Sequence, residues 1–200
     1  MMPRVALGAL LWAVVSAAPA QVIVFEQNGL KYQTLTHSGV TVMFAHLVAH
    51  VKEFSIVQVS VSNGGGGPYT IRPEDFSFER PDHSMIRATS ARTVVDLLMQ
   101  KGTGGDVLKL VSTYEASLYG MARMRSTNGY EQRRQAALAF VSSARLKAAA
   151  AASAIALVQM KLAPGESTDG AVFFATETKQ LGPGRLIVRT NTDTFEFNAE

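Results

Sequence analysis

The polarity pattern along this chain changes period twice. Apolar and polar residues alternate over about residues 40–88, follow helical spacing over 93–159, and alternate again over 171–197. In the first stretch Val40, Val42 and Phe44 alternate with Thr41 and Met43, and Val57, Val59 and Val61 with Gln58, Ser60 and Ser62. Neighbouring strand side chains point to opposite faces, so each set lays one apolar face on a core. Asn63-Gly64-Gly65-Gly66-Gly67-Pro68 breaks the chain as a hairpin loop. Phe76 and Phe78 resume the alternation, and Pro81-Asp82-His83-Ser84 turns the chain towards Met85-Ile86-Arg87. Residues 171–175, 185–189 and 194–197 complete the set. Several short strands with turns between them predict an antiparallel β-sandwich.

Three helices are predicted inside this β framework, over about residues 90–160. The first, 93–101, has Val94, Leu97 and Leu98 on one side and stops at Gly102-Thr103-Gly104-Gly105. Asp106 is the expected N-cap of the second. There Val107, Leu110, Val111, Tyr114, Leu118 and Met121 form an apolar stripe at i, i+3, i+4, i+7 spacing. Ser126-Thr127-Asn128-Gly129 turns the chain into a third helix, 130–159, which at 1.5 Å per residue reaches roughly 45 Å. The second and third helices would make a long helical hairpin. From Ala148 to Val158 the third is apolar nearly all round. Its small side chains imply burial between the second helix and the sheet or, alternatively, a homo-oligomer seam. Lys147 and Lys161 leave only 13 residues between them, too few to span a bilayer.

The first 20 residues set the compartment. Arg4, an apolar run from Val5 to Val15, and Ala18-Pro19-Ala20 before Gln21 read as a signal peptide. The remaining 21–200 is long enough for one domain with its own core. The chain has no cysteine, which removes disulfides and fits a bacterial periplasmic or secreted protein. An exported chain is not expected to meet nucleic acid. Formal net charge is +3, or +2 without Arg4. Nine Lys/Arg against four Asp/Glu give residues 90–160 a net +5, so the rest of the mature chain is −3. A basic excursion on a mildly acidic base bears on partners rather than fold.

Ser55-Ile56-Val57-Gln58-Val59-Ser60-Val61-Ser62-Asn63, with Tyr69-Thr70-Ile71 and Asp75-Phe76-Ser77-Phe78, resembles the early strands of telokin-like immunoglobulin-like domains of exported bacterial proteins. Leu162-Ala163-Pro164-Gly165-Glu166, then Gly170-Ala171-Val172-Phe173-Phe174, resembles their later strand entry. The likeness covers about half of the mature chain. It departs from the family at residues 90–160, where such domains have a short connection, and at His83, where a Gly is expected. The resemblance implies an immunoglobulin-like sandwich with a binding or envelope role, and supplies no catalytic residues.

Candidate chemistry is sparse. His46 and His50 have i, i+4 spacing with Glu53 close behind, but lack the Glu directly after the first His that zinc proteases carry. On a strand they would lie roughly 13 Å apart and could not share an ion. Neither glycine cluster is followed by the Lys-Ser/Thr of a phosphate loop, and no nucleophile-elbow motif is present. No catalytic residue, metal or cofactor is therefore expected. Arg123 and Arg125 close the second helix, where cations suit the dipole, whereas Arg133 and Arg134 open the third and oppose it. Gathered at a hairpin tip, these four are the expected contact for an anionic partner: an envelope protein, an acidic glycan or an anionic lipid surface.

The expected protein is α+β: an exported immunoglobulin-like sandwich with a three-helix insertion, acting as a non-enzymatic binding or scaffold module of the cell envelope. The competing expectation is a hydrolase with a site between sheet and insertion, built around His46, His50 and Glu53. Export makes a direct prediction. N-terminal sequencing of exported protein should begin at Gln21, and a sequence still starting at Met1 would contradict the signal peptide.

Overall fold

The computed structural model describes residues 21–27, 29–120, 129, 132, 133, 135, 143–177 and 181–199, and the side chains of all of these save 46–49 and 117–120. Seven strands come first: β1 (Ile23–Gln27), β2 (Leu30–His37), β3 (Val40–Val51), β4 (Phe54–Asn63), β5 (Tyr69–Ile71), β6 (Phe76–Glu79) and β7 (Met85–Thr89). Helices α1 (Ala91–Lys101), α2 (Gly104–Gly120) and α3 (Ala144–Ile155) follow. The chain ends with β8 (Met160–Leu162), β9 (Ser167–Ala175), β10 (Gly184–Arg189) and β11 (Thr194–Ala199). The fold is α+β with an antiparallel sheet. Nine strands lie in the order β1-β2-β3-β4-β9-β7-β6-β10-β11, and β5 pairs separately with β8. Since β7 and β9 are neighbours, the helical excursion leaves and rejoins the sheet at one place.

The sheet curls until its two ends approach across its inner face. Phe44 of β3 meets Phe197 of β11 edge to face at 5.0 Å, and the Gln33 amide donates to the Asn198 carbonyl. Inside the curl the alternating apolar residues pack as expected: Val57, Val59 and Val61 with Phe76, Phe78 and Phe174. The opposite face of β3, β4 and β9 is also covered. Met43, Ala45, Phe54, Ile56, Ala171 and Phe173 are buried beneath the helices, with Val94, Leu98, Leu110 and Tyr114. Gln58 and Ser60, the polar alternates of β4, are therefore buried rather than solvent-facing.

Local chemistry sets the helix ends. Ser90 caps α1, its hydroxyl accepting from the Thr93 N–H at 3.2 Å, so the helix begins two residues before the expected start. Asp106 is not the N-cap of α2. The Thr103 N–H donates to its carboxylate at 2.7 Å, while the Asp106 N–H reaches back to the Thr103 hydroxyl at 3.4 Å. This reciprocal capping box draws Gly104 and Gly105 into the first turn. Lys52, in the left-handed region at φ +55°, reaches Asp106 at 3.0 Å and ties the β3–β4 hairpin to that turn.

The expected third helix is interrupted. Ser143 is extended (φ −79°, ψ 133°) and stands at the start of α3, which ends at Ile155. The Ala-rich segment is buried between α1 and α2, with Ala148, Ala149, Ala151, Ala152 and Ala154 all at most 3% exposed. These five alanines are covered within the chain, whereas Ala144 is exposed and Ala150 is half-buried. Small residues permit the close approach: a Cβ on Gly102 would stand 2.9 Å from that of Ala148. Past α3 the chain lies on β9, with the Leu157 N–H donating to the Ala171 carbonyl at 2.9 Å. A Cβ on Gly170 would overlap the Leu157 backbone.

Gly170→Ala should consequently cost about 1–3 kcal/mol, the range for overpacking a core. Gly66→Ala, with nothing within 4 Å and no positive φ, should cost about 0.5 kcal/mol or less. Urea midpoints of the two variants check the contrast, and equal midpoints would refute the close approach at Gly170.

Candidate functional site

Of the four arginines expected at a basic tip, Arg123, Arg125 and Arg134 lie outside the described residues. Arg133 is half-buried, and its guanidinium donates to the Ala154 carbonyl at 3.2 Å. In one straight helix those two residues would be about 31 Å apart. The chain has instead folded back, and Arg133 meets a carbonyl in the last turn of α3, where a cation satisfies an orphan acceptor and suits the dipole. It is a helix-end contact rather than a solvated tip.

His46 and His50 both lie on β3, with the pairing register shifting between them: His46 faces Val57 and His50 faces Ser55. The His46 side chain is outside the description. Among the described residues no three His, Asp or Glu gather as metal ligands. The glycine-rich loop after β4 spends its amides internally. Gly64 N–H donates to the Gly39 carbonyl at 2.9 Å and Gly65 N–H to the Asn63 side chain at 3.0 Å. The buried Asn63 amide also donates to Gly67 and Leu162, holding the loop against β8.

A Ser-His-Asp group does occur, where the β2–β3 turn meets the β10–β11 turn. Asp193 Oδ1 lies 2.8 Å from His37 Nδ1, and Ser38 Oγ lies 3.2 Å from that same nitrogen. A serine relay needs its hydroxyl and its carboxylate on opposite ring nitrogens, so this geometry does not activate Ser38. It fastens the two ends of the curled sheet. Burial alone would raise the Asp193 carboxyl, but hydrogen bonds from Thr192, His37 and Ser38 outweigh it and hold the group below its ordinary range.

A candidate site is a half-open depression of about 300 Å³ on the outward face of β7, β6 and β10, lined by Glu74, Asp75, Ser77, Arg87, Ala88 and Arg189. Alternation produces it: Phe76 and Phe78 point into the core, so Ser77 and Glu79 face out. Register places the arginines. Arg87 sits opposite Ser77, Ser77 opposite Ile187, and Arg189 lies two residues beyond on the same face. Across two strand spacings the side chains can meet over Ser77. Glu74 and Asp75 come from a single 3-10 turn, Pro73–Asp75. Burial pushes the Asp75 carboxyl above its ordinary range, against the lowering pull of the Arg72 N–H it accepts at 2.8 Å.

Arg185, on the same outward face, supplies the contrast. It bonds Glu79 and also Glu196, the latter at 3.1 Å, and Glu79 accepts a further contact from His83 at 2.8 Å. His83 has φ +64°, the conformation for which a Gly was expected. Arg87 and Arg189 are exposed, and neither makes an ion pair or hydrogen bond with a described residue. Sequence reading missed both. Met85-Ile86-Arg87 and Leu186-Ile187-Val188-Arg189 signal that they point outward, but only the order β7-β6-β10 brings them together. The chain matches no family model, no curated protein and no solved structure.

The Asp193 fastening gives a pH-dependent prediction. A carboxyl with a lowered folded pKa contributes stability that is present above its unfolded pKa, about 3.9, and is lost as pH falls through the lower folded value. Asp193→Asn should cost about 1 kcal/mol at pH 6. The gap from the unmodified protein should close as unfolding is measured at progressively lower pH, below about 4. A gap unchanged down to pH 3 would show that the charge of Asp193 contributes nothing.

Proposed function

We propose that the chain is an exported, non-enzymatic binding or scaffold module of the cell envelope, an immunoglobulin-like sandwich with a helical insertion, whose outward β7-β6-β10 face receives an acidic glycan. The observation that carries this reading is the pair Arg87 and Arg189, unpartnered among the described residues while Arg185 beside them is paired. Guanidinium forks hold carboxylates through charge-assisted hydrogen bonds. Glu74 and Asp75 on the same rim favour a ligand that places hydroxyl donors next to its acid. An acidic sugar has both features, whereas a uniformly anionic lipid surface would be repelled by the carboxylates. Strands with buried inner faces hold the two arginines at fixed spacing, which lowers the ordering cost of binding.

The test is binding of the exported protein to a uronic-acid polymer and, separately, to anionic vesicles, each across a salt series. The polymer should bind and the vesicles should not, with affinity falling as salt rises. Arg87→Ser with Arg189→Ser should weaken binding at least tenfold, because a hydrogen bond to a charged group contributes about 1.5–3 kcal/mol. Binding that survives both changes, or that appears only with vesicles, would overturn this reading.

A further inference from the structure

We propose that β1 pairs antiparallel with β1 of a second copy of this chain, joining the two sheets edge to edge. β1 is the end strand of the nine and, among the described residues, bonds only to β2, so one row of its backbone N–H and C=O groups has no described partner. All five of its residues are exposed, including Ile23 at 61%, Val24 at 52% and Phe25 at 36%. Natural edge strands are usually blunted by lysine, proline or a bulge. β1 has none of these, pairs with β2 in unbroken register, and carries Glu26 as its one charge.

The occupant follows from register. A two-fold axis normal to the sheet keeps each residue on its own face, so facing residue numbers must sum to an even value. With Val24 opposite Val24 of the second copy, Ile23 stands opposite Phe25 of that copy and Phe25 opposite its Ile23. Three apolar pairs then form in a row, on the correct faces. Glu26 then faces Val22 at the edge of the row. Sliding one way by a single such step puts Val24 itself against Glu26, and the other way pairs Ile23 with Ile23 and Val24 with Val22 but leaves Phe25 against Gln21. Only the register centred on Val24 pairs all three exposed apolar residues of β1 with one another. Phe25 is already fixed for it by stacking on the buried Tyr32 at 5.2 Å and 10°. Five residues a side make a small interface, so the dimer belongs to the weak class that forms with rising concentration.

Sedimentation of the exported protein from low to several hundred micromolar should show mass rising from one chain to two. Val24→Lys should stay monomeric throughout, because it sets two ammonium groups face to face across the axis. Val24→Glu should do the same. An equimolar mixture of the two variants should recover dimer, a rescue that a folding defect could not produce. Leu108→Lys, at a 71%-exposed site on α2, should leave dimerisation unchanged. A monomer at every concentration, a dimer that survives Val24→Lys, or a mixture that fails to dimerise would overturn the proposal.

Discussion

Burial of β4 and β9 on both faces constrains everything around them. Nine consecutive cross-strand pairs join the two, from Phe54 opposite Ala175 to Ser62 opposite Ser167. Val57, Val59, Val172 and Phe174 point into the curl, while Phe54, Ile56, Ala171 and Phe173 point the other way. Fully burying such side chains stabilises by about 1.5–3 kcal/mol each, and neither face can be left to water. The curl closes over one face and the helices close over the other. Phe54 and Phe173, edge to face at 6.5 Å, are a seat for the helical layer. The helices are therefore part of a second core that exists only because the sheet's back is apolar.

That layer is thin because seven of the twelve residues of its central helix are alanine. Alanine costs no side-chain entropy in a helix and lets neighbouring backbones come close. Gly102 and Gly170 extend the same logic to the helix ends. Close packing also traps polar groups. Tyr114 of α2 donates its hydroxyl to Asp169 on β9, which stands directly across from Ser60. Two strand positions away, Gln58 is fully buried between Ala45 and Ala171, with no partner for its amide among the described residues.

The period changes revealed which segments are strands and which are helices, because alternation and helical spacing are local properties. Val94 and Leu98, and Leu110 and Tyr114, are buried as their spacing implies. Local reading failed where two signals competed. Asp106 looked like a cap because four residues of Gly and Thr precede it, yet Thr103 starts the helix through side-chain hydrogen bonds that periodicity does not register. Residues 130–159 kept helical composition across Ser143, so nothing in the pattern marked the break. The burial of Gln58 and Ser60 was not legible, because strand alternation cannot tell water from an overlying helix. The candidate site was less legible still. Arg87 and Arg189 are 102 positions apart in the chain and meet only through the crossing order of three strands.

Charge arrangement on the finished surface connects the two proposals. Several described acids are paired: Asp106 with Lys52, Glu79 with Arg185 and His83, and Asp193 with His37. Arg87 and Arg189, on the same face as the paired Arg185, have no such partner among the described residues. That face also lies on the sixth to eighth strands of the sheet order, whereas β1 is the first. Pairing through β1 uses none of the residues that line that face, so each dimer carries two of them. A repeating acidic polymer could then engage both at once, the second contact forming at an effective concentration set by the rigid spacing between them. Weak sites on a weak dimer would in this way hold a long polymer far better than either holds a short fragment, because occupancy of one face raises the local concentration at the other.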